Sequence, residues 1–434
     1  MNPLFRNDRP GAYPDSWYAA STELPPKRAP LTTARTADVA IVGAGFTGLW
    51  AALELARRGV DVVVLEAHRA AFGASGRNGG QVGSGFNKSQ SWLEARLGAP
   101  AARALWEMAE EAKAQLRDFC ASHAPEARYL PGVADCEYTA KDTEASHEEA
   151  AFLHKRYGYD QITPLDKAGV RDLVRTELYG GGRLDMGAGH LHPLRYGLAL
   201  AREAERAGAV IFEGSAVTAI AEGDPATLTT GNGHVTARHV ILAGNGYLPG
   251  IAPPVAARVM PINSFIAATA PLGAHAGDVL GRDIAVADSK FVVNYYRMSE
   301  DRRLLFGGRE SYSIGFPSDI KTKLVARMTH LFPQLEGVKI DYVWGGTLGI
   351  TMTRLPCVMR IGSNILNASG FSGHGVALSG FAGKVMAEAI VGQTARFDIL
   401  STLPIPRFPG GAAARAPLLT LAMTWYALRD RLGV

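Results

Sequence analysis

Cysteine is scarce: Cys120, Cys136 and Cys357 are the only three in 434 residues. No two form a CxxC pair, which argues against a disulfide framework and against a zinc site, so no metal is expected. Long apolar runs are missing too. No stretch of about 18 apolar residues occurs, and no transmembrane segment is expected. Residues 1–10 are polar, with Arg6, Asp8 and Arg9, and lack the apolar core of a signal peptide. The 45 basic and 41 acidic residues leave a net charge of +4 without a long basic block, so nucleic acid is not an expected partner. These absences point to a cytoplasmic chain, long enough for two domains and a large core.

Glycine is abundant instead: 49 residues, where an average chain of this length carries ~7%, or about 30. Many cluster in three places. Gly43-Ala44-Gly45-Phe46-Thr47-Gly48 follows the apolar run 38–42, which reads as a buried parallel strand, and opens a helix over 47–58. A second strand, 60–66, ends in Glu66, completing a βαβ unit of roughly 30 residues. In this pattern Gly43 permits the tight turn, Gly45 admits a pyrophosphate close to the backbone, and Gly48 lets helix and strand pack closely. Phe46 and Thr47 lie at the helix start, where free N–H groups and the dipole favour phosphate. Glu66 is placed to accept from ribose hydroxyls, and its charge disfavours a 2′-phosphate.

The second cluster, Ala74-Ser75-Gly76-Arg77-Asn78-Gly79-Gly80-Gln81, follows the ribose-binding strand. Its N–H groups and the Ser75, Arg77 and Asn78 side chains are candidates to meet phosphate or ring atoms of an extended cofactor, with a plain surface loop as the alternative. The third, Gly370-Phe371-Ser372-Gly373-His374-Gly375, feeds a helix over 377–391, whose N-terminus would stabilise negative charge on a reduced ring. His374 read alone is as well explained by a structural role.

Between these βα pieces the pattern changes. Helices are expected over 91–122 and through most of 140–180, with a loop from about 187 leading into the helix 194–206. Alternating segments between 257 and 310 predict an antiparallel sheet. The fold class expected is α/β: a Rossmann-type domain interleaved with an α+β substrate domain built on an antiparallel sheet. Residues 1–36 form an arm. Residues 37–110, 185–256 and 350–395 make the nucleotide domain, 111–184 and 257–349 the substrate domain, and 396–434 a tail with a helix.

Taken together, Gly43–Gly48, Glu66, Ala74–Gln81, Gly187–Pro193, Val240–Gly246 and Gly370–Gly375 resemble the FAD-dependent amine and amino-acid oxidase family that includes D-amino-acid, glycine and sarcosine oxidases. The likeness covers nearly the whole chain. The arm Tyr13–Ala20, the string Ser75–Gln81, Gly187–Pro193 and the tail from Phe408 to Tyr426 look like the γ-glutamylputrescine-oxidising branch. Enzymes of N-substituted glycines, such as iminodiacetate oxidases, belong to the same wider family, and the motifs do not separate them.

The resemblance implies FAD bound across Gly43, Gly45, Phe46, Thr47, Gly48, Glu66, Ser75, Gly76, Arg77, Asn78, Gly80, Gln81, Val217, Gly244, Gly370, Gly373, His374 and Gly375. Within that set it places Val217 at the adenine, Gly244 near pyrophosphate and ribose, and Gly373–Gly375 along the ring edge. The attachment expected is non-covalent. Where monomeric sarcosine oxidases carry the flavin-linked cysteine ahead of a proline, Ile350 occupies the approximate place before Pro356. The chemistry implied is oxidation of a C–N bond of an amine or N-substituted amino acid, with hydride transfer to the flavin, imine hydrolysis, and O2 reoxidation giving H2O2. Tyr296, which shares a strand face with Asn294, and Arg309, a carboxylate clamp after Gly307-Gly308, are the candidate substrate contacts, with His374 beside them. Two alternatives stay open: a dehydrogenase passing electrons to a carrier or quinone, with the apolar tail helix 416–432 at a membrane surface, and a non-catalytic flavin-binding component.

Overall fold

The computed structural model describes residues 5–7, 9–248, 250–290, 292–311 and 315–409. The tail helix expected over 416–432 lies outside the described residues, as does the side chain of Arg309.

Two sheets organise the chain. In the first, the order is Cys357–Ile361, Ile365–Ser369, His234–Leu242, Ala34–Val42, Val62–Leu65 and Val210–Phe212. Its centre is parallel, with Ala40 opposite Val240 on one side and Val63 on the other. All four residues of Val62–Leu65 are buried, as expected of a strand covered on both faces. Helices Phe46–Ala56, Ala99–His123, Pro193–Arg206 and Leu378–Ile390 pack on one face around Leu49, Trp50, Phe119, Tyr196 and Phe381. Small residues set the close approach there. A Cβ on Gly48 would stand 1.9 Å from the Gly43 carbonyl oxygen, and one on Gly383 would stand 2.1 Å from that of Thr47.

The second sheet runs Ile340–Ile350, Met260–Thr269, Leu304–Ser311, Tyr295–Met298, Ala285–Asp288, Leu130–Glu137, Gly181–His190 and Gln81–Val82, with Ile162–Asp166 also on Gly181–His190. Every pair in it is antiparallel except Ala285–Asp288 with Leu130–Glu137, the seam where two distant stretches of chain meet. Its outer face carries a separate core with Phe306, Phe332 and Tyr296, capped by helix Lys321–Leu331.

The α/β class with interleaved sheets is as expected, but several boundaries move. A limit at 110/111 cuts helix Ala99–His123, which packs on the first sheet's helices through Leu105, Leu116 and Phe119. A limit at 184/185 cuts strand Gly181–His190 of the second sheet, which replaces the loop expected from about 187. Helix 91–122 is two helices, broken at Gly98 where φ is +84°. The stretch 140–180 contains strand Ile162–Asp166.

The arm binds the two halves together. Tyr13 Oη donates to the Ala70 carbonyl at 2.8 Å, and Arg28 pairs with the fully buried Glu213. Tyr18 and Trp17 pack against His192.

Candidate active site

A cleft of about 1290 Å³ runs between the sheets and is lined by all three glycine-rich turns. Drug-sized pockets are typically 300–1,000 Å³, so this volume has room for a dinucleotide and a substrate together.

At the first turn Gly43 has φ +103°, a conformation that favours glycine. Helix Phe46–Ala56 starts at Gly45, which has no side chain to cap it, and Gly43, Gly45, Phe46 and Thr47 line the wall. Glu66 faces the same space. Its carboxylate accepts from the N–H groups of Ala44 at 2.8 Å and His68 at 2.9 Å, while burial pushes its pKa up to about 7. Val217 and Gly244 also line this end. Phe5, His68, Phe72 and Tyr247 form an aromatic rim, with His68 stacked on Phe72 at 4.1 Å and Phe5 on Tyr247 at 6.0 Å. This rim has no sequence signature, because its members come from the arm, the connection between Glu66 and the second turn, and a distant loop.

The second turn has a role different from the one expected for its side chains. Ser75 Oγ accepts from Phe46 N–H at 3.0 Å, tying the turn to the first helix. Arg77 is buried. It donates to the Phe72 carbonyl at 2.7 Å and the Gly345 carbonyl at 3.1 Å, and its guanidinium lies 4.3 Å from the Phe72 ring centre. Asn78 Nδ2 donates to the Ala74 and Ser75 carbonyls, and its Oδ1 accepts from Gly80 N–H. Gln81 Nε2 donates to the Val286 carbonyl at 2.7 Å. These four residues line the cleft, yet their polar groups hold the turn in shape. Gly48, Gly76, Gly80 and Gly370 do not line it. A Cβ at Gly76 would meet the Ala71 carbonyl at 2.2 Å, and one at Gly80 the Leu191 carbonyl at 2.1 Å, so these glycines serve close packing.

At the third turn Gly373 has φ +89° and open space where a Cβ would be, and Gly375 and His374 complete the wall. His374 Nε2 donates to the Gly85 carbonyl at 3.1 Å, and burial lowers its pKa, so the ring is neutral near pH 7. The following helix, Leu378–Ile390, has no side-chain cap. A positive-φ turn below a helix start, a carboxylate at the end of the second strand and a second, uncapped helix start packed beside the first fit the phosphates, ribose and ring of FAD.

The opposite wall is the second sheet. Register places Arg183, Asp135, Ala287 and Tyr295 in one row across four strands, and all four line the cleft. Tyr295 Oη is 3.1 Å from Ser264 Oγ, and its ring fills the space over Gly79 and Gly307. Tyr296 points the other way. It is fully buried in the outer core, with its Oη 3.0 Å from that of Tyr179. Asn294 shares its face, donating to Asp288 at 2.6 Å. The two do point together, as expected, but Tyr296 faces the core, because strand alternation gives the cleft to its odd-numbered neighbour. Arg309 lies opposite Phe265 on strand Leu304–Ser311.

None of the three cysteines lines the cleft; all are buried. Cys357 stands in the first sheet's core with its thiol pushed up to about 11 by burial. Among the described residues no cluster fit to hold a metal ion occurs, and no helix is long and apolar enough to cross a membrane.

Comparison with known proteins agrees with this geometry. Over 417 residues the chain is 40% identical to a probable oxidoreductase OrdL of Rhizobium meliloti (strain 1021), covering 96% of this chain and 97% of that protein. Over 424 residues it is 39% identical to the γ-glutamylputrescine oxidoreductase of Escherichia coli (strain K12), covering 96% and 99%. The fold matches the crystal structure of glycine oxidase from Geobacillus kaustophilus with a TM-score of 0.72 at 22% identity, over 87% of this chain and all of that one. The family model described as DAO, FAD dependent oxidoreductase, matches residues 38–389, most of the chain and every turn of the cleft, and the protein belongs to that family of FAD-dependent oxidoreductases.

Proposed function

We propose that the protein is an amine oxidase with FAD held non-covalently, acting on a γ-glutamyl diamine or a related N-substituted amino acid. The observation that carries this reading is the charge of the cleft's second-sheet end. Asp135, Glu137, Asp142 and Glu310 line the cleft, beside the cations Arg183 and Lys88, so a cationic amine is drawn in by the local field. The relative that oxidises γ-glutamylputrescine matches over nearly its full length, which supports the same substrate class here.

When bound, FAD supplies the hydride acceptor. The chain's own groups position and desolvate. The Tyr295 ring, backed by Gly79 and Gly307, forms a floor for the reacting end of the amine. The neutral His374 and the uncapped helix behind it would offer the ring edge a positive backbone dipole without a full charge. The substrate must react as the free amine, because its lone pair assists departure of the neighbouring hydride. The iminium so formed hydrolyses to an aldehyde and an amine or ammonia, and O2 takes up the electrons as H2O2. Non-covalent attachment is supported by the seclusion of Cys357 in the core.

Anaerobic mixing with γ-glutamyl diamines, N-substituted glycines and D-amino acids tests the reading. Loss of visible flavin absorbance is expected with the first class, and peroxide on readmission of air. A flavoprotein that no amine bleaches would refute it. Bleaching that air does not reverse, but an artificial acceptor does, would make it a dehydrogenase.

A further inference from the structure

Arg183 is a cation among acidic groups of the cleft, and its placement is specific. It lies directly across the strand pair from Asp135, and its Nε donates to Asp135 Oδ2 at 2.9 Å. Among the described residues nothing else accepts from its guanidinium, and the side chain is 24% exposed, toward the cleft it lines. One edge of the fork is therefore fixed by a carboxylate, and the other is presented to the cavity in the geometry that suits a second carboxylate.

The rest of this end is acidic. Glu137 follows Asp135 on the same strand face, and Asp142 lies in the first turn of helix Ala140–Tyr157; both line the cleft. A simple anion would meet Arg183 but be repelled by these carboxyls. A zwitterion would satisfy both, with its carboxylate on Arg183 and its ammonium toward Glu137 and Asp142.

Distance makes the site separate from the reacting end. Tyr295, Ala287, Asp135 and Arg183 are successive in the row, so three strand spacings, or about 14 Å, divide Tyr295 from Arg183. An extended chain advances roughly 1.2 Å per bond, so the span suits a linear molecule of about a dozen bonds.

We infer that Arg183, clamped by Asp135, is a specificity-determining residue that anchors the carboxylate of an α-amino-acid head group at the far end of an extended amine substrate. This deepens the function proposed above and rests on it for the identity of the reacting end.

The test compares wild type with Arg183→Met and Arg183→Lys, each loaded with FAD. Two oxidisable amines are used: a γ-glutamyl diamine, and the same diamine carrying an N-acetyl group in place of the γ-glutamyl group. For R183M, KM for the γ-glutamyl diamine is expected to rise about 30-fold, the loss of one charge-assisted pair, with kcat within about twofold. The constants for the acetylated amine should stay within about twofold, and R183K should fall between. An unchanged KM for the γ-glutamyl diamine, or an equal loss with both amines, would overturn the inference. If R183M fails to hold flavin, R183K carries the same comparison. A γ-glutamyl n-butylamide, which keeps the head group and lacks the reacting amine, is titrated in parallel with melting temperature as readout. If no amine bleaches the wild type, the proposed function fails, and this titration decides alone. Stabilisation of wild type that is lost in the Arg183 variants supports the anchor, and no stabilisation of wild type contradicts it.

Discussion

The two walls of the cleft are built on opposite principles. On the first-sheet side the ligand-facing groups are mostly backbone: a positive-φ glycine, an uncapped helix start and carbonyl-anchored turns, with Glu66 as the main charged side chain. On the second-sheet side the ligand-facing groups are side chains in a row assembled from four strands, and adjacent residues on one strand face opposite ways. Backbone walls tolerate little change at glycine and much change at side chains. A side-chain wall behaves in reverse, with specificity in single residues and little penalty to the fold.

The largest expected effect tests the close packing behind the backbone wall. Gly48→Ala brings a methyl group to 1.9 Å from the Gly43 oxygen, where no flexible end can yield. We expect about 3 kcal/mol or more of lost stability and little flavin on purification, read by denaturant melts and absorbance. A variant that stays yellow and stable would break the contrast.

Next comes the pair Tyr295 and Tyr296, neighbours with opposite fates. Tyr295→Phe removes the hydroxyl facing Ser264 in the cleft and should slow flavin reduction by about tenfold, or 1.4 kcal/mol of barrier, at unchanged stability. Tyr296→Phe removes the core contact to Tyr179, and should cost about 1 kcal/mol of stability with reduction unchanged. Stopped-flow reduction and thermal melts on both variants separate the outcomes; equal kinetic effects would void the facing assignment.

Glu66 is the exception on the backbone side, and pH exposes it. Burial pushes its folded pKa up to about 7, above the ordinary carboxyl value of about 4.5. Between these values the folded apoprotein holds a proton that the unfolded chain has released. Apoprotein stability therefore falls as pH rises from about 4.5 to about 7 and levels off above, and Glu66→Gln should flatten this segment. Ribose hydroxyls favour the ionised carboxyl, so FAD affinity should weaken as pH drops below about 7, and the Gln variant should bind about tenfold more weakly at pH 8. Chemical denaturation and FAD titration across pH check both signs. The smallest effect is expected from Cys357→Ser, which should leave all flavin in the supernatant after acid precipitation, as in wild type.

The same contrast explains what the sequence revealed. Gly43, Gly45 and Glu66 act through local backbone geometry over one βαβ unit, so spacing alone locates them. The glycines at 76 and 80 are also visible as a cluster, but their reason is contact with Ala71 and Leu191, which spacing does not show. Arg77 and Asn78 look like ligand groups in a polar loop, yet their partners are carbonyls of Phe72, Gly345 and Ala74. The row Arg183–Asp135–Ala287–Tyr295 spans more than 150 positions of sequence, and its register was not legible without the strand pairing. The sequence points to Tyr296, whereas Tyr295 faces the cleft, because one residue along a strand reverses the face.

The proposed function depends on separate glycine turns closing on one long flavin nucleotide, with Glu66 at its ribose. Titrating the flavin-free protein with FAD, FMN and NAD, followed by calorimetry and visible absorbance, tests it most directly. One FAD per chain is expected, with FMN weaker for want of the adenosine that Glu66 would meet, and no uptake of NAD. A protein that stays colourless with FAD, or takes NAD in its place, would contradict it.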